Sequence, residues 1–471
     1  MMMTISACLW LGLFPLLQTG TYAHITKDKW IFMLILTGVT LVCLVVDLIL
    51  GRLHARTRSA FPSPRFIPAV IAAALTLCIL LSWILSPMDR GGEVIGLTSR
   101  REGLLTQLCY LANFFMFAFS RIRKRPVLLS AAAGLAVYFI IIMFQKAGTN
   151  PLGLYPAGRY YSPGTEFQGT TGNVDMGTGY LCVLAGLFLT ELVNVIRARI
   201  RVKRSGQGAA EPVYYLVILA LALAMAVFLI FDFRVQFGKV TLAALAGWTF
   251  LRLLPKKWRA PVLAVLVVLA LAAVWFWPGQ SGGIWELHEM FHGRTQLSFG
   301  SNRIGVWYYS LQMAPDRLLL GTGPDTFEVR FNTWLKDHNE ALPKHQGDLA
   351  LPAYFDNPHN EYIAHLSNHG LPAALLFIAL IVSVLLCGQK KKASGLPEAP
   401  LYASPFRAAV FCYAVQAFFS FSVAIQAPFL WVALGLAVSC CTALPAQKTE
   451  CSSSPVQPSR RRPGRSASGK R

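Results

Sequence analysis

Runs of mostly apolar residues, each close to the ~20 needed to cross a bilayer as a helix, recur twelve times in this chain: roughly 5–23, 30–50, 66–85, 103–120, 126–144, 174–196, 213–231, 236–254, 260–277, 371–388, 404–422 and 425–442. No water reaches the backbone inside a bilayer, so each run must satisfy its own amide groups, and a helix does so without a neighbour. The pattern predicts an all-α, polytopic membrane protein. At 55% hydrophobic and 14% charged over 471 residues, the chain is too apolar for a string of soluble domains.

The formal net charge of +21 first suggests a nucleic-acid partner, but its placement argues against one. Arg52, Arg56, Arg58 and Arg65 fill one loop; Arg121, Arg123, Lys124 and Arg125 fill another. Arg197, Arg199, Arg201, Lys203 and Arg204 follow, then Arg252, Lys256, Lys257 and Arg259, then Lys390, Lys391 and Lys392. These are alternate loops, and the arginine-rich segment after Ala443 continues the series. Basic loops stay on the cytoplasmic side, so both termini are expected in the cytoplasm and the intervening loops outside. MMMTISACLWLGLF lacks a basic n-region and a small-residue cleavage site, so it reads as the first span. All ten cysteines fall in spans or the tail, which leaves the outside loops no disulfide framework.

Polar chemistry concentrates in one place. The segment from Pro278 to Gly370 holds seven of the nine histidines and ten of the 22 acidic residues, and it is too long for a simple connection. Four regions follow: the first nine spans (1–277), a small helical extracytoplasmic cap (278–370), the last three spans (371–442), and a Ser-, Pro- and Arg-rich tail (443–471). The tail is expected to be disordered and drawn to anionic inner-leaflet lipid. Within the cap, IGVWYYSLQMA and DTFEVRFNTWLKDH carry apolar residues at three and four spacing, which predicts two surface helices. Phe327, Phe331 and Trp334 would share a face against the bundle or the interface. Pro343, Gly347 and Pro352 punctuate an irregular loop. The loop Ser86–Glu102, with Asp89, Arg90, Glu93, Arg100 and Arg101, reads as a solvated connection. The Gly-, Pro- and Tyr-rich stretch 145–173 reads as a shaped loop, whose tyrosines and Arg159 suit stacking on sugar rings or an interfacial aromatic belt.

Individual residues admit a functional and a plainer reading. Asn357-Pro358-His359 has the grammar of a helix start, Asn as cap and Pro at the first position. His359 would then sit in the positive field of the helix dipole, which keeps an imidazole neutral and favours a nearby anion; alternatively it only helps to cap. Arg303 is either a fork of donors for phosphate oxygens or a charge on a solvated face. Arg234, in the short outside turn FDFRVQFGKV, either binds an anion or snorkels to headgroups. His365 and His369 share a helical face, but no Glu follows the first and no third ligand has suitable spacing, so no metal is expected. Substituting either is expected to be mild. Gly321-Thr-Gly-Pro lacks the Lys-Ser/Thr ending of a P-loop and reads as a tight turn between the outer helices.

Three segments in order carry a resemblance: Ser301-Asn302-Arg303 with Trp307, Gly321-Thr-Gly-Pro-Asp-Thr-Phe327, and His359-Asn360-Glu361-Tyr362 with Gly370. They resemble the Ser-x-Arg...Trp, Gly-x-Gly-Pro-x-x-Phe and His-Asn-x-Tyr...Gly segments of the bacterial O-antigen ligase and polymerase family of membrane glycosyltransferases. Gly172-Asn173 resembles a further family segment, although Asp175 stands where the family more often has Asn, and Arg234 is similar to the arginine of its Ser-Arg-Gly. The resemblance implies a metal-independent enzyme, without cofactor, in the bacterial cytoplasmic membrane. It would transfer a glycan from a polyprenyl-diphosphate carrier to an acceptor hydroxyl at the outer face. His359 would take the acceptor proton, with Asn360 and Glu361 orienting it or the acceptor. Arg234 and Arg303 would bind the diphosphate, and Arg159 and Tyr362 would also contact substrate. The implied partners are the carrier-linked glycan, a glycan or lipid acceptor and membrane lipid. A ligase and a repeat-unit polymerase fit these motifs equally. From another class, a secondary transporter suits a twelve-span bundle, but the spans carry almost no charge beyond Asp47 and Glu191.

Overall fold

The computed structural model describes residues 1–51, 66–155, 169–206, 211–338, 354–387 and 404–440. Arg159, the stretch holding Pro343, Gly347 and Pro352, and the basic tail lie outside the described residues. Those described form sixteen α-helices and no strand.

Each of the twelve apolar runs is helical. They are α1 (Met2–Cys8, continued by further helical turns to Leu16), α2 (Ile25–Ile49), α3 (Phe66–Ile84), α5 (Leu104–Ala118), α6 (Lys124–Lys146) and α7 (Val174–Ser205). After these come α8 (Val213–Asp232), α9 (Gln236–Leu253), α10 (Lys256–Trp275), α14 (Glu361–Leu386), α15 (Pro405–Gln416) and α16 (Ala427–Cys440). Among the described residues, seven helices are long and apolar enough to cross a membrane: α2, α3, α6, α7, α8, α10 and α14. The helices at 2–16, 104–118 and 427–440 are apolar but shorter. Two of the predicted runs are cut short because the chain between α15 and α16 leaves the helix at 417–426, and this turn delivers Phe421 and Ser422 to the site described below.

The core forms around α7 and α16, which are buried along most of their length. Small residues permit the closest crossing: a Cβ on Gly134 of α6 would lie 2.1 Å from the Gly12 carbonyl oxygen, so the two backbones touch. The described basic turn at 121–125 lies at one end of the bundle. There the Met1 ammonium pairs with Asp47 at 3.0 Å, Arg123 N donates to Thr4 Oγ1 at 3.1 Å, Lys124 pairs with Glu191 at 2.8 Å, and Ser439 Oγ donates to the Ser120 carbonyl. At the other end, Tyr22 donates to the Gly169 carbonyl at 2.7 Å and Lys146 pairs with Asp232.

The cap consists of α11 (Gly283–Phe291), α12 (Arg303–Met313) and α13 (Phe327–His338). The face shared by Phe327, Phe331 and Trp334 packs into the cap's own small core, with Leu297, Val306, Tyr309 and Met313. This differs from the expectation of a face laid on the bundle or the interface. The cap is tied to the bundle by Arg330, whose buried guanidinium donates to the carbonyls of Met313 (2.7 Å) and Ser367 (3.2 Å). The Gly321–Pro324 turn docks into a break in α14. Gly370 there has φ 83°, Thr322 N and Gly323 N donate to the Asn368 carbonyl at 3.2 and 2.9 Å, and Leu371 N donates to the Leu318 carbonyl at 2.7 Å. The expected joining turn thus also fastens the cap to the helix that carries the histidines.

A candidate active site between the cap and the start of α14

The helix start falls three residues later than the sequence grammar suggested. Asn360 is the cap, its Oδ1 accepting from Tyr362 N (3.0 Å) and Ile363 N (3.1 Å). Asn357 instead accepts from His359 N at 2.8 Å, forming a turn ahead of the helix. His359 therefore stands outside the helix, at φ 47°, a left-handed conformation that costs a β-substituted residue on the order of 1–3 kcal/mol and persists where the surroundings enforce it. Its neutrality has a different cause from the one expected. Burial first, and the neighbouring Arg303 guanidinium second, push its pKa down to about 4, opposed by Asp356. Its Nδ1 is buried without a hydrogen-bond partner, and its ring stands edge-on to Phe421 at 5.2 Å between centroids.

The Ser-x-Arg...Trp segment reaches the same point. Gly300, Ser301 and Asn302 are all left-handed, at φ 64°, 59° and 68°, and turn the chain sharply into α12. Arg303 opens that helix, and Trp307, one turn on, donates through Nε1 to the Pro358 carbonyl at 2.8 Å. One hydrogen bond thus locks α12 to the residue before His359. Arg303 spends Nη1 on the Gly300 carbonyl at 3.1 Å, while its Nε is buried and unpartnered. Burial lowers its pKa, with the charge of Asp175 in the first turn of α7 opposing.

The turn that leads into His359, through Asp356, Asn357 and Pro358, lines a cleft whose other walls are Arg100, Glu102 and Gln107, the first turns of α14 and the 421–422 turn. The loop read as a solvated connection forms its wall. Thr98 N and Oγ1 donate to Asp325 at 2.9 Å, and Asp325 belongs to the Gly-x-Gly-Pro segment. Glu93, in the short helix α4 (Arg90–Ile95), is fully buried and bonded to Ser86, whose Oγ also donates to the Thr322 carbonyl at 2.5 Å. Arg100 pairs with Asp356 and lies 3.9 Å above the Phe421 ring. Glu102 accepts from Tyr110 (2.8 Å), Ser422 (2.7 Å) and Gln107 (3.3 Å). Burial raises Glu102 to about 8 against those hydrogen bonds, and raises Asp325 to about 6, so both carboxyls hold protons far more readily than exposed ones. Nothing local in the sequence marks this loop, because its partners lie more than 200 positions away.

The remaining assignments separate. Glu361 lines the cleft and accepts from Tyr413 at 2.9 Å. The Asn360 side-chain oxygen is committed to capping. The Tyr362 hydroxyl, expected to meet substrate, donates to the Ala414 carbonyl at 2.7 Å, and its ring packs against Phe418 and Phe377; it braces α14 on α15. Arg234 is exposed in the turn between α8 and α9 at φ 60°. Among the described residues no hydrogen bond or ion pair joins it to Arg303 or His359. Its neighbour Phe233 packs beside Gly177 of α7, two residues from Asp175. Arg159 lies outside the described residues. The sequence reading passed over His288-Glu289-Met290-Phe291-His292, which has the spacing of a helical zinc motif. Glu289 is bound by both forks of Arg294 at 2.6 Å, and no group of three candidate ligands forms among the described residues.

Seven helices long and apolar enough to cross a membrane, with a polar, arginine- and histidine-bearing end under a small cap, are the architecture of a multi-pass membrane protein. The family model described as O-Antigen ligase matches residues 220–378, from α8 through the cap into α14. Over that stretch, about a third of the sequence, the chain is similar to the O-antigen ligase family, and the match supports a ligase- or polymerase-type function in surface-polysaccharide assembly. No curated protein matches the chain.

Proposed function

We propose that the protein transfers a glycan from a polyprenyl-diphosphate carrier to an acceptor hydroxyl at the outer face of the bacterial cytoplasmic membrane. The observation that carries this reading is the meeting of Arg303 and His359, each with a buried, unpartnered nitrogen, at the Trp307–Pro358 hydrogen bond. Buried polar atoms without partners are rare in folded proteins and call for an explanation; a charged substrate group is one. The acceptor oxygen bonds to the anomeric carbon, its proton passes to His359, and the anomeric carbon–oxygen bond breaks with its electron pair leaving on the diphosphate.

Arg303 binds that departing charge with a planar fork, and Arg234 serves the same group from the membrane turn. When the diphosphate arrives it offsets the positive charge that depresses His359, so the imidazole becomes a stronger base once the donor is seated. General-base assistance supplies about 10²–10⁴ in rate, and electrostatic stabilisation of the leaving group the remainder. No step requires a metal.

The test is Arg303→Lys, which keeps charge and loses the fork. Transfer is expected to fall at least tenfold with protein level and unfolding temperature unchanged; transfer at the wild-type rate would reduce Arg303 to a surface charge. Ligase and polymerase share this chemistry and differ in acceptor. Deleting the gene separates them: full-length chains stranded on the carrier mean ligase, single repeat units on the acceptor mean polymerase.

A further inference from the structure

The mechanism above uses His359 and Arg303, neither of which lines the cleft, and leaves the cleft without a role. The cleft holds unspent hydrogen-bonding capacity. His365 and His369 are buried to 6% and 2% exposure, both line the cleft, and neither imidazole has a hydrogen-bond partner among the described residues. Asn368, which also lines the cleft, accepts through its side-chain oxygen from Thr326 at 3.4 Å and spends no side-chain donor among the described residues. Glu361 commits only Oε2, to Tyr413. Such groups cost stability when left dry, so α14 keeps two buried imidazole nitrogens unpartnered on the wall of this cleft at a structural cost.

The chemistry of the walls narrows what fills it. An anion finds no free cation among the lining residues, because the cleft's single guanidinium, Arg100, is already paired with Asp356. A hydrocarbon chain would bury these polar groups unsatisfied. A metal lacks three converging ligands among the described residues. A polyhydroxylated ring fits: each hydroxyl both donates and accepts, matching carboxyl, amide and imidazole partners.

We propose that this cleft is a saccharide subsite in which Glu361, His365, Asn368 and His369 hydrogen-bond the hydroxyls of the sugar next to the reacting bond. The proposal rests on the transfer reading above and names where its sugar sits. It also revises the expectation that substitutions of His365 and His369 would be mild. The sugar is either the first residue of the donor glycan or the acceptor residue, since both must approach His359.

The experiment uses the full-length protein in lipid nanodiscs with the carrier-linked glycan extracted from its own cells, the native acceptor, and sugar-free polyprenyl diphosphate as competitor. His369→Leu and His365→Leu keep volume and remove the polar nitrogens. Each should raise a saccharide KM about tenfold or more, the scale of a lost hydrogen bond in a buried site, while leaving the unfolding temperature equal or higher because an unsatisfied polar group has gone. A rise in KM for the carrier-linked glycan, seen also in its hydrolysis by water, assigns the donor sugar. A rise confined to the acceptor KM assigns the acceptor. Inhibition by polyprenyl diphosphate should be unchanged in both variants and weakened in Arg303→Lys. Unchanged KM values in both leucine variants, with or without a lower unfolding temperature, would overturn the subsite. Absence of inhibition of the wild type by polyprenyl diphosphate would instead overturn the transfer reading beneath it.

Discussion

At the scale of single residues, the pair Arg303 and His359 sets a pH dependence opposite to habit. A free histidine titrates near 6.5, but His359 is held at about 4 by burial and by Arg303. The neutral, proton-accepting form therefore exists at every pH above that value, and protonation removes it only below. The pH profile of kcat/KM, which reports groups of the free enzyme, should stay level from neutrality to about pH 5 and fall toward pH 4. Removing the neighbouring charge with Arg303→Gln should move that acid limb upward in the residual activity; a limb already near 6.5 in the wild type would show His359 to be solvated. The sequence made His359 and Arg303 visible, because each heads a recognisable run. It did not make the capping residue visible. Asn357 and Asn360 both satisfy cap grammar, and the choice is settled by a distant atom: Glu361 N donates to the Ala417 carbonyl at 2.9 Å, which fixes the helix start one residue after Asn360.

At the scale of elements, the site depends on how the cap seats in the break of α14. A Cβ on Gly370 would lie 2.3 Å from the Leu319 carbonyl oxygen, and one on Gly321 2.3 Å from that of Asn368. Both residues also have positive φ, which costs about 1–2 kcal/mol for any residue with a Cβ. Gly370→Ala and Gly321→Ala should each lower the unfolding temperature and reduce transfer together, because the turn must move and takes Asp325 with it. Wild-type unfolding in both would mean that the cap is not clamped there. Two of the three cap helices, α12 and α13, were legible from spacing alone; α11 was not. The wall of the cleft was not, since Arg100, Glu102 and Thr98 look like any polar loop until Asp325 and Asp356 are brought to them.

At the scale of the whole molecule, the alternation of basic loops and the bundle contacts agree in one respect: Met1, Arg123, Lys124 and Ser439 meet at the same end. Single cysteines at Arg123 and Arg201, in a cysteine-free version, should resist an impermeant thiol reagent in intact cells, while one at Arg294 should react; labelling at Arg201 would invert the topology. Hydropathy made twelve helices legible, but helix lengths in this bundle depend on packing, and α15 and α16 are shortened where the chain between them, at 417–426, delivers Phe421 and Ser422 to the site. The central claim joins all three scales: one end of the bundle transfers glycan through His359. The most direct measurement is transfer of carrier-linked glycan to the acceptor by purified wild-type and His359→Ala protein reconstituted at equal amounts in proteoliposomes. The variant should insert and unfold like the wild type yet lose about 10²–10⁴ in rate; transfer by His359→Ala at a near wild-type rate would contradict the account.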